Sequence, residues 1–191
     1  GLTGFMFACH CGNNEVVQLL LNHSDPSIAL NAKANNGFTG LMFACQMGET
    51  DIVHMLLSYS KIELNAKSNH GRTALMIACE DGHTDVVRLL GNSPKIELDA
   101  KCNLGRTALM FACEDGHTDV VRLFLDQSNK SIKLNAQDDS GATAIMHACH
   151  KGHKDVVKLL LDRSERIELN ARTNGGVTAF MFACYKGHKD V

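Results

Sequence analysis

Three clusters in the 191-residue chain carry side chains able to ligate a metal or move a proton. His147, His150 and His153 recur at steps of three with Cys149 between them. Cys9, His10 and Cys11 are consecutive, and Cys113, Glu114, Asp115 and His117 crowd one short stretch. Zinc asks for four ligands converging at about 2.0–2.3 Å. His147 and His150 can share a helix face, but Gly152 should end that helix before His153, and Cys9 should point inward. The ligand count falls short of a closed site, so the expectation is no metal and no cofactor. A catalytic histidine needs a nucleophile and an orienting carboxylate converging on it. No phosphate-cradling loop, paired-carboxylate constellation or nucleophile motif is present. The reading is therefore a chain without catalytic residues, with a Cys/His metal- or redox-responsive module as an alternative.

Repetition explains why these side chains cluster. The stretch Gly105 to Asp119, GRTALMFACEDGHTD, follows a pattern that returns along the chain, with its turn glycine and threonine at Gly1/Thr3, Gly37/Thr39, Gly71/Thr73, Gly105/Thr107, Gly141/Thr143 and Gly176/Thr178. Self-similarity at a period of this size signals stacked supersecondary units, each burying its apolar face only against its neighbours. The units run 1–36, 37–70, 71–104, 105–140 and 141–175, with a partial sixth at 176–191, and with no linker between them the chain reads as one repeat domain, 1–191. His83, His117, His153 and His188 then look like loop-bracing groups copied from unit to unit, not parts of one active site.

Composition narrows the partners. A formal net charge of −2 supplies no basic field to collect nucleic acid. No apolar run approaches the roughly 18–20 residues needed to cross a bilayer, and nothing resembles a secretory signal. The chain lacks a start methionine and stops at Asp190-Val191 just inside a helix, so it reads as a piece of a longer protein. Cys9, Cys45, Cys79, Cys113, Cys149 and Cys184 share one slot in the repeat. Equivalent slots of stacked helices lie about 8–10 Å apart, whereas a disulfide needs Cα atoms about 4.4–6.8 Å apart. These thiols should be buried and reduced, which points to an intracellular, cytoplasmic location.

Each unit reads as turn, helix, tight loop, helix and extended connection. In the third, Thr73 can cap a helix over Ala74–Glu80, Gly82 can end it in the left-handed conformation, and Thr84 can cap a second helix whose stripe is Val86, Val87, Leu89 and Leu90. Asn14 takes the Thr84 position in the first unit. Lys154 and Lys189 take it in the last two, where a cation at a positive helix end should weaken the start. Length varies only after the second helix, at Asp25-Pro26-Ser27 and Ser128-Asn129-Lys130. The asparagines Asn31, Asn65, Asn135 and Asn170, with Asp99 in the same slot, should close turns through their side chains.

The full pattern, G-x-T-A-L-M-x-A-C-x-x-G-H-x-D-V-V-x-L-L-L followed by L-N-A-K, resembles the ankyrin repeat, whose units carry T-P-L-H-x-A after a turn glycine. The resemblance spans the chain and implies an all-α solenoid with short hairpin-like connections. Three features depart from it. The proline slot holds Gly4, Gly40, Ala74, Ala108, Ala144 and Ala179; the histidine slot holds Met6, Met42, Met76, Met110, Met146 and Met181; and segments such as Ile62-Glu63-Leu64 precede the asparagine. The methionine ladder should be packing rather than a soft-metal site. The resemblance also implies that Asn65, with Leu57 eight residues earlier, is a candidate for asparaginyl hydroxylation.

Family likeness further implies a protein–protein interaction scaffold whose concave face, lined by hairpin tips and first helices, binds a protein or peptide. The alternative is a regulatory or targeting arm of a larger enzyme or channel. The letters that do not repeat on that face are the candidate partner-binding residues: Phe38, Met47, Arg72, Glu80, Asp81, Arg106, Glu114, Asp115, Lys151 and Tyr185. Arg and aromatic groups in a concavity are typical anchors. Reversing Arg72 and Arg106 to glutamate should weaken capture while leaving unfolding nearly unchanged. The open last repeat suggests weak self-association.

Overall fold

A computed structural model describes residues 1–22, 30–126 and 132–186. Among them are eleven α-helices and one 3-10 turn, with no strand. The tips Asp25-Pro26-Ser27 and Ser128-Asn129-Lys130, His188, Lys189 and Asp190-Val191 lie outside the described residues. The chain clusters into two compact units, Gly1–Ala78 with His83–Cys102, and Cys79–Gly82 with Asn103–Val191.

The first unit holds α1 (Gly4–His10), α2 (Asn14–Asn22), α3 (Gly40–Met47), α4 (Thr50–Leu57), α6 (Thr84–Asn92) and most of α5 (Ala74–Glu80). First helices stack on first helices (α1 on α3) and second on second (α2 on α4, α4 on α6). The second unit repeats the scheme, with α7 (Ala108–Asp115), α9 (Ala144–Lys151) and α11 (Ala179–Lys186) in one row and α8 (Thr118–Asp126) on α10 (Lys154–Leu161) in the other. Buried Leu, Met, Ala and Cys fill the first row, and Val and Leu fill the second.

Helix starts follow the sequence reading in the first row and depart from it in the second. The hydroxyls of Thr3, Thr39, Thr73 and Thr178 accept the N–H of Met6, Met42, Met76 and Met181 at 3.2, 3.4, 3.3 and 3.3 Å. The methionine is more than packing here: Met6, Met76, Met110 and Met146 turn their sulfur back to accept the N–H of the capping threonine at 3.4–3.5 Å. A weak acceptor thus closes the reciprocal cap that a glutamate usually closes. In the second row Thr84 is not the cap. It is the first helical residue, and the cap position belongs to His83, which makes no capping side-chain bond. The same shift corrects Asn14, because Asn13 Oδ1 accepts the N–H of Val16 at 3.1 Å. Lys154 likewise follows His153, and α4 and α6 also lack a side-chain cap, so the missing cap is not particular to α10.

Sequential repeats are tied by side chains reaching the next backbone. Asn31, Asn65 and Asn135 reach the next repeat, where the sequence had suggested that they close their own turns. Asn31 donates to the Lys61 carbonyl and accepts from Glu63 N–H; Asn65 does the same with Lys95 and Glu97, and Asn135 with Arg166 and Glu168, all at 2.8–3.0 Å. Each amide spends both ends on one neighbouring loop, which fixes spacing and register together. The tip lysines behave alike: Lys33 donates to the Lys67 carbonyl and Lys67 to the Lys101 carbonyl, both at 2.8 Å. The repeat histidines are braces, as the sequence suggested. His83 Nε2 lies 2.9 Å from the Gln46 carbonyl, and His117 and His153 reach the Glu80 and Glu114 carbonyls at 2.8 Å.

Two proline-slot residues differ for a spatial reason. A Cβ added to Gly40 would meet the Phe5 ring at 2.7 Å and Cys9 Sγ at 3.3 Å, so glycine there makes room for a phenylalanine where the next four units carry leucine or isoleucine. At Gly4 an added Cβ meets nothing within 4 Å.

All eight cysteines are free thiols. The slot rule has one exception: Cys184 is exposed, while Cys102, outside the slot, is buried. Burial pushes the Cys9 thiol up to about 12 and Cys149 up to about 11, and raises Cys45 and Cys113 as well. A thiol-reactive disulfide reagent at neutral pH should therefore label Cys11 and Cys184 promptly and the other six only on the timescale of unfolding. Mass spectrometry of the labelled peptides checks the assignment.

Candidate functional site

Three of the sequence-selected residues meet in the second unit. Arg106 Nη1 lies 2.6 Å from Glu114 Oε2, and Lys151 Nζ lies 3.6 Å from Glu114 Oε1. Arg106 leaves the turn just ahead of α7, Glu114 lies in the last turn of α7, and Lys151 ends α9 one repeat on. Two residues outside the partner-binding selection, Asp138 and the metal candidate His147, complete the group. Asp138 places Oδ2 at 3.8 Å from Arg106 Nε and 3.0 Å from His147 Nε2. The Asp138 side chain is 4% exposed.

The buried aspartate is well satisfied. Its Oδ1 accepts from the backbone N–H of Ser140 and Ala142 at 2.9 Å and from the Ser140 hydroxyl at 2.6 Å. Burial pushes the carboxyl up, but these bonds and the neighbouring His147 outweigh it and hold Asp138 below the usual carboxylate range. His147 moves the other way from its ordinary value. Burial and then the Arg106 charge lower it, against the upward pull of Asp138. An ionised Asp138 can only accept, so His147 Nε2 carries the proton, and the neutral ring keeps Nδ1 as an acceptor.

Both residues are departures from the repeat. His147 occupies the slot of Phe7, Phe43, Ile77, Phe111 and Phe182, and Asp138 that of Ala34, Ser68, Cys102 and Thr173. The detectable signal was this double substitution, an imidazole for an aromatic and a carboxylate for a small residue, in two slots the fold brings together. Beside the pair lies a cleft of about 180 Å³ lined by Arg106, Glu114, Ser140, Met146, His147 and Phe182, among others. His150 sits edge-on to Phe182 with ring centroids 5.4 Å apart.

The histidine cluster considered for metal is dispersed by these partners. His147 turns to Asp138, His150 to Phe182 and His153 to the Glu114 carbonyl, while Cys149 is buried. Among the described residues no group of three or more His, Cys, Asp or Glu side chains is placed to hold a metal ion.

The remaining candidates do not join the group. Asp115 is exposed, and Tyr185 is 85% exposed with Lys186 Nζ 5.9 Å from its ring centroid. Glu80 is half-buried and Asp81 exposed. In the first unit Phe38 packs at 5.3 Å on Phe43, Met47 is exposed and Arg72 is half-buried.

The family model described as Ankyrin repeats (3 copies) matches residues 1–68, 60–138 and 130–191. The chain belongs to the ankyrin repeat family. A search of the curated proteins finds no match. Ankyrin repeats are generally protein–protein interaction modules. Among the described residues no helix of this ankyrin repeat chain is long and apolar enough to cross a membrane.

The cluster sets a pH dependence for the ankyrin fold. Because His147 binds its proton less readily when folded, the unfolded chain takes up that proton first as pH falls below about 6.5, and stability declines across that window. Asp138, held low in the folded state, contributes stability above about 3.9 that is lost as pH falls further. Urea unfolding at pH 7 and pH 5 should show a smaller loss for the variant Asp138→Cys/His147→Phe than for the parent.

Proposed function

We propose that the chain is a binding module without chemistry of its own, and that it holds a protein or peptide partner on the second unit's surface of first helices and hairpin tips. The carrying observation is the half-buried cluster of Arg106, Glu114 and Asp138 with Lys151 at its edge. Fixed charges that are already hydrogen-bonded need little reorganisation on binding, which is how charge gives specificity to an interface. Exposed Tyr185, on α11 in the first-helix row of the same unit, is of the type that anchors interfaces. Phe38, Met47 and Arg72 offer a similar surface in the first unit.

Arg106 is a poor residue to reverse. Arg106→Glu would set a third carboxylate against Glu114 and Asp138, so a loss of capture would be confounded with a loss of stability. Lys151→Gln with Tyr185→Ala acts on exposed side chains instead and sets no further carboxylate against Glu114. Immobilised parent, this variant and a second-helix control, Arg122→Glu/Lys158→Glu, should be compared by quantitative affinity capture. Proteins retained by the parent and the control but lost from the Lys151/Tyr185 variant, with the thermal midpoint unchanged, are the expected result. Capture lost only from the control would refute the reading.

A further inference from the structure

We propose that the cleft beside Asp138 and His147 is a receptor for one tyrosine side chain of the bound peptide, a specificity determinant that rests on the binding function proposed above. Elsewhere the two slots hold a small residue and a phenylalanine or isoleucine, as in Ala34/Phe43, Ser68/Ile77, Cys102/Phe111 and Thr173/Phe182, so a carboxylate and an imidazole stand together only at Asp138/His147. A chain that departs from its own rule at two contacting slots marks a functional position.

Size sets the first limit. The cleft measures about 180 Å³, and an apolar cavity of about 150 Å³ accommodates benzene, so one ring-sized group fits. Its Phe182, Met146 and Ala142 walls are apolar, and His150 already meets Phe182 edge-on, the arrangement in which a further ring would pack.

Hydrogen-bonding capacity sets the second. His147 spends Nε2 on Asp138; its Nδ1 has no hydrogen-bond partner among the described residues and is not sealed from solvent. Arg106 donates one hydrogen bond, to Glu114, and its Nε lies 3.8 Å from Asp138, beyond hydrogen-bond reach, so guanidinium N–H donors remain to be filled. The cleft therefore offers one acceptor and spare donors. A phenol hydroxyl satisfies both at once, giving its proton to His147 Nδ1 and accepting from Arg106.

Charge sets the third. An incoming carboxylate or phosphate would face Glu114 and Asp138, whereas an incoming cation would face Arg106 and Lys151. A neutral group with an apolar ring meets neither penalty. Phenylalanine would fit by shape but leave His147 Nδ1 and the Arg106 donors covered and unpaired.

The test titrates the full chain with N-acetyl-tyrosine amide, N-acetyl-phenylalanine amide and N-acetyl-phosphotyrosine amide, following backbone amide resonances of Ser140, Ala142 and His147. The expected result is saturable shifts with the tyrosine amide, affinity lower by about fivefold to tenfold for the phenylalanine amide, weaker binding still for the phosphotyrosine amide, and no selectivity in Asp138→Cys/His147→Phe. Equal affinity for the tyrosine and phenylalanine amides, preference for the phosphorylated one, or no shift at these amides overturns the proposal. The titration reads the cleft alone: tyrosine selectivity with partner capture unaffected by the surface variants sinks the functional reading instead, whereas lost capture without selectivity sinks only the tyrosine assignment.

Discussion

Asp138→Ala should lower the unfolding free energy by roughly 3 kcal/mol, the scale of leaving buried donors unpaired when a buried, hydrogen-bonded carboxylate is removed. The side chain accepts three hydrogen bonds from Ser140 and Ala142 through one oxygen and faces His147 and Arg106 with the other. Deleting it leaves the Ala142 N–H buried and unpaired, takes the acceptor from His147 Nε2–H and removes a counter-charge from Arg106. Swapping both partners to the residues that the preceding repeat uses, Asp138→Cys with His147→Phe, should behave differently. Cys102 and Phe111, which hold these slots one repeat earlier, are each buried, and a buried polar pair exchanged for packed apolar groups is commonly neutral or stabilising. Equilibrium urea unfolding of the parent, both single variants and the double variant completes the cycle, and the prediction is that the double variant is more stable than either single one.

Gly116→Ala is the second substitution expected to act strongly, at about 2–4 kcal/mol from left-handed strain and a lost brace together. Gly116 ends α7 at φ 79°, and an added Cβ would lie 2.5 Å from His153 Nδ1. The ring cannot stay, so its 2.8 Å contact with the Glu114 carbonyl breaks with it. Gly4→Ala is the matched control. With open space around Gly4 at the start of a helix, alanine there should be neutral or slightly stabilising. Thermal unfolding of the two variants side by side checks the contrast.

These two sites show where the sequence was legible. Gly116 was readable because the same glycine and histidine recur in unit after unit, and repetition separates what a stacked unit requires from what it merely tolerates. Thr73, the buried cysteines and the bracing histidines were readable for the same reason. The asparagines were placed correctly but given the wrong partners. Their bonds run to residues about thirty positions on, a reach that no local turn rule contains. The methionine sulfurs were read as packing because a thioether is so weak an acceptor that only the geometry of the cap reveals its use. At the candidate site, Arg106, Glu114 and Lys151 were found as letters that vary on one face. Asp138 was not singled out, and His147 was weighed only as a metal candidate. Their meaning lies in a pairing between a hairpin tip and a helix slot otherwise filled by an aromatic or aliphatic side chain.

The account holds that this polar pair serves binding and not folding, and the most direct measurement is partner capture by the Asp138→Cys/His147→Phe chain. It should unfold at the same urea concentration as the parent, or a higher one, and fail to retain the proteins that the parent retains. Undiminished capture by that stable double variant would contradict the account.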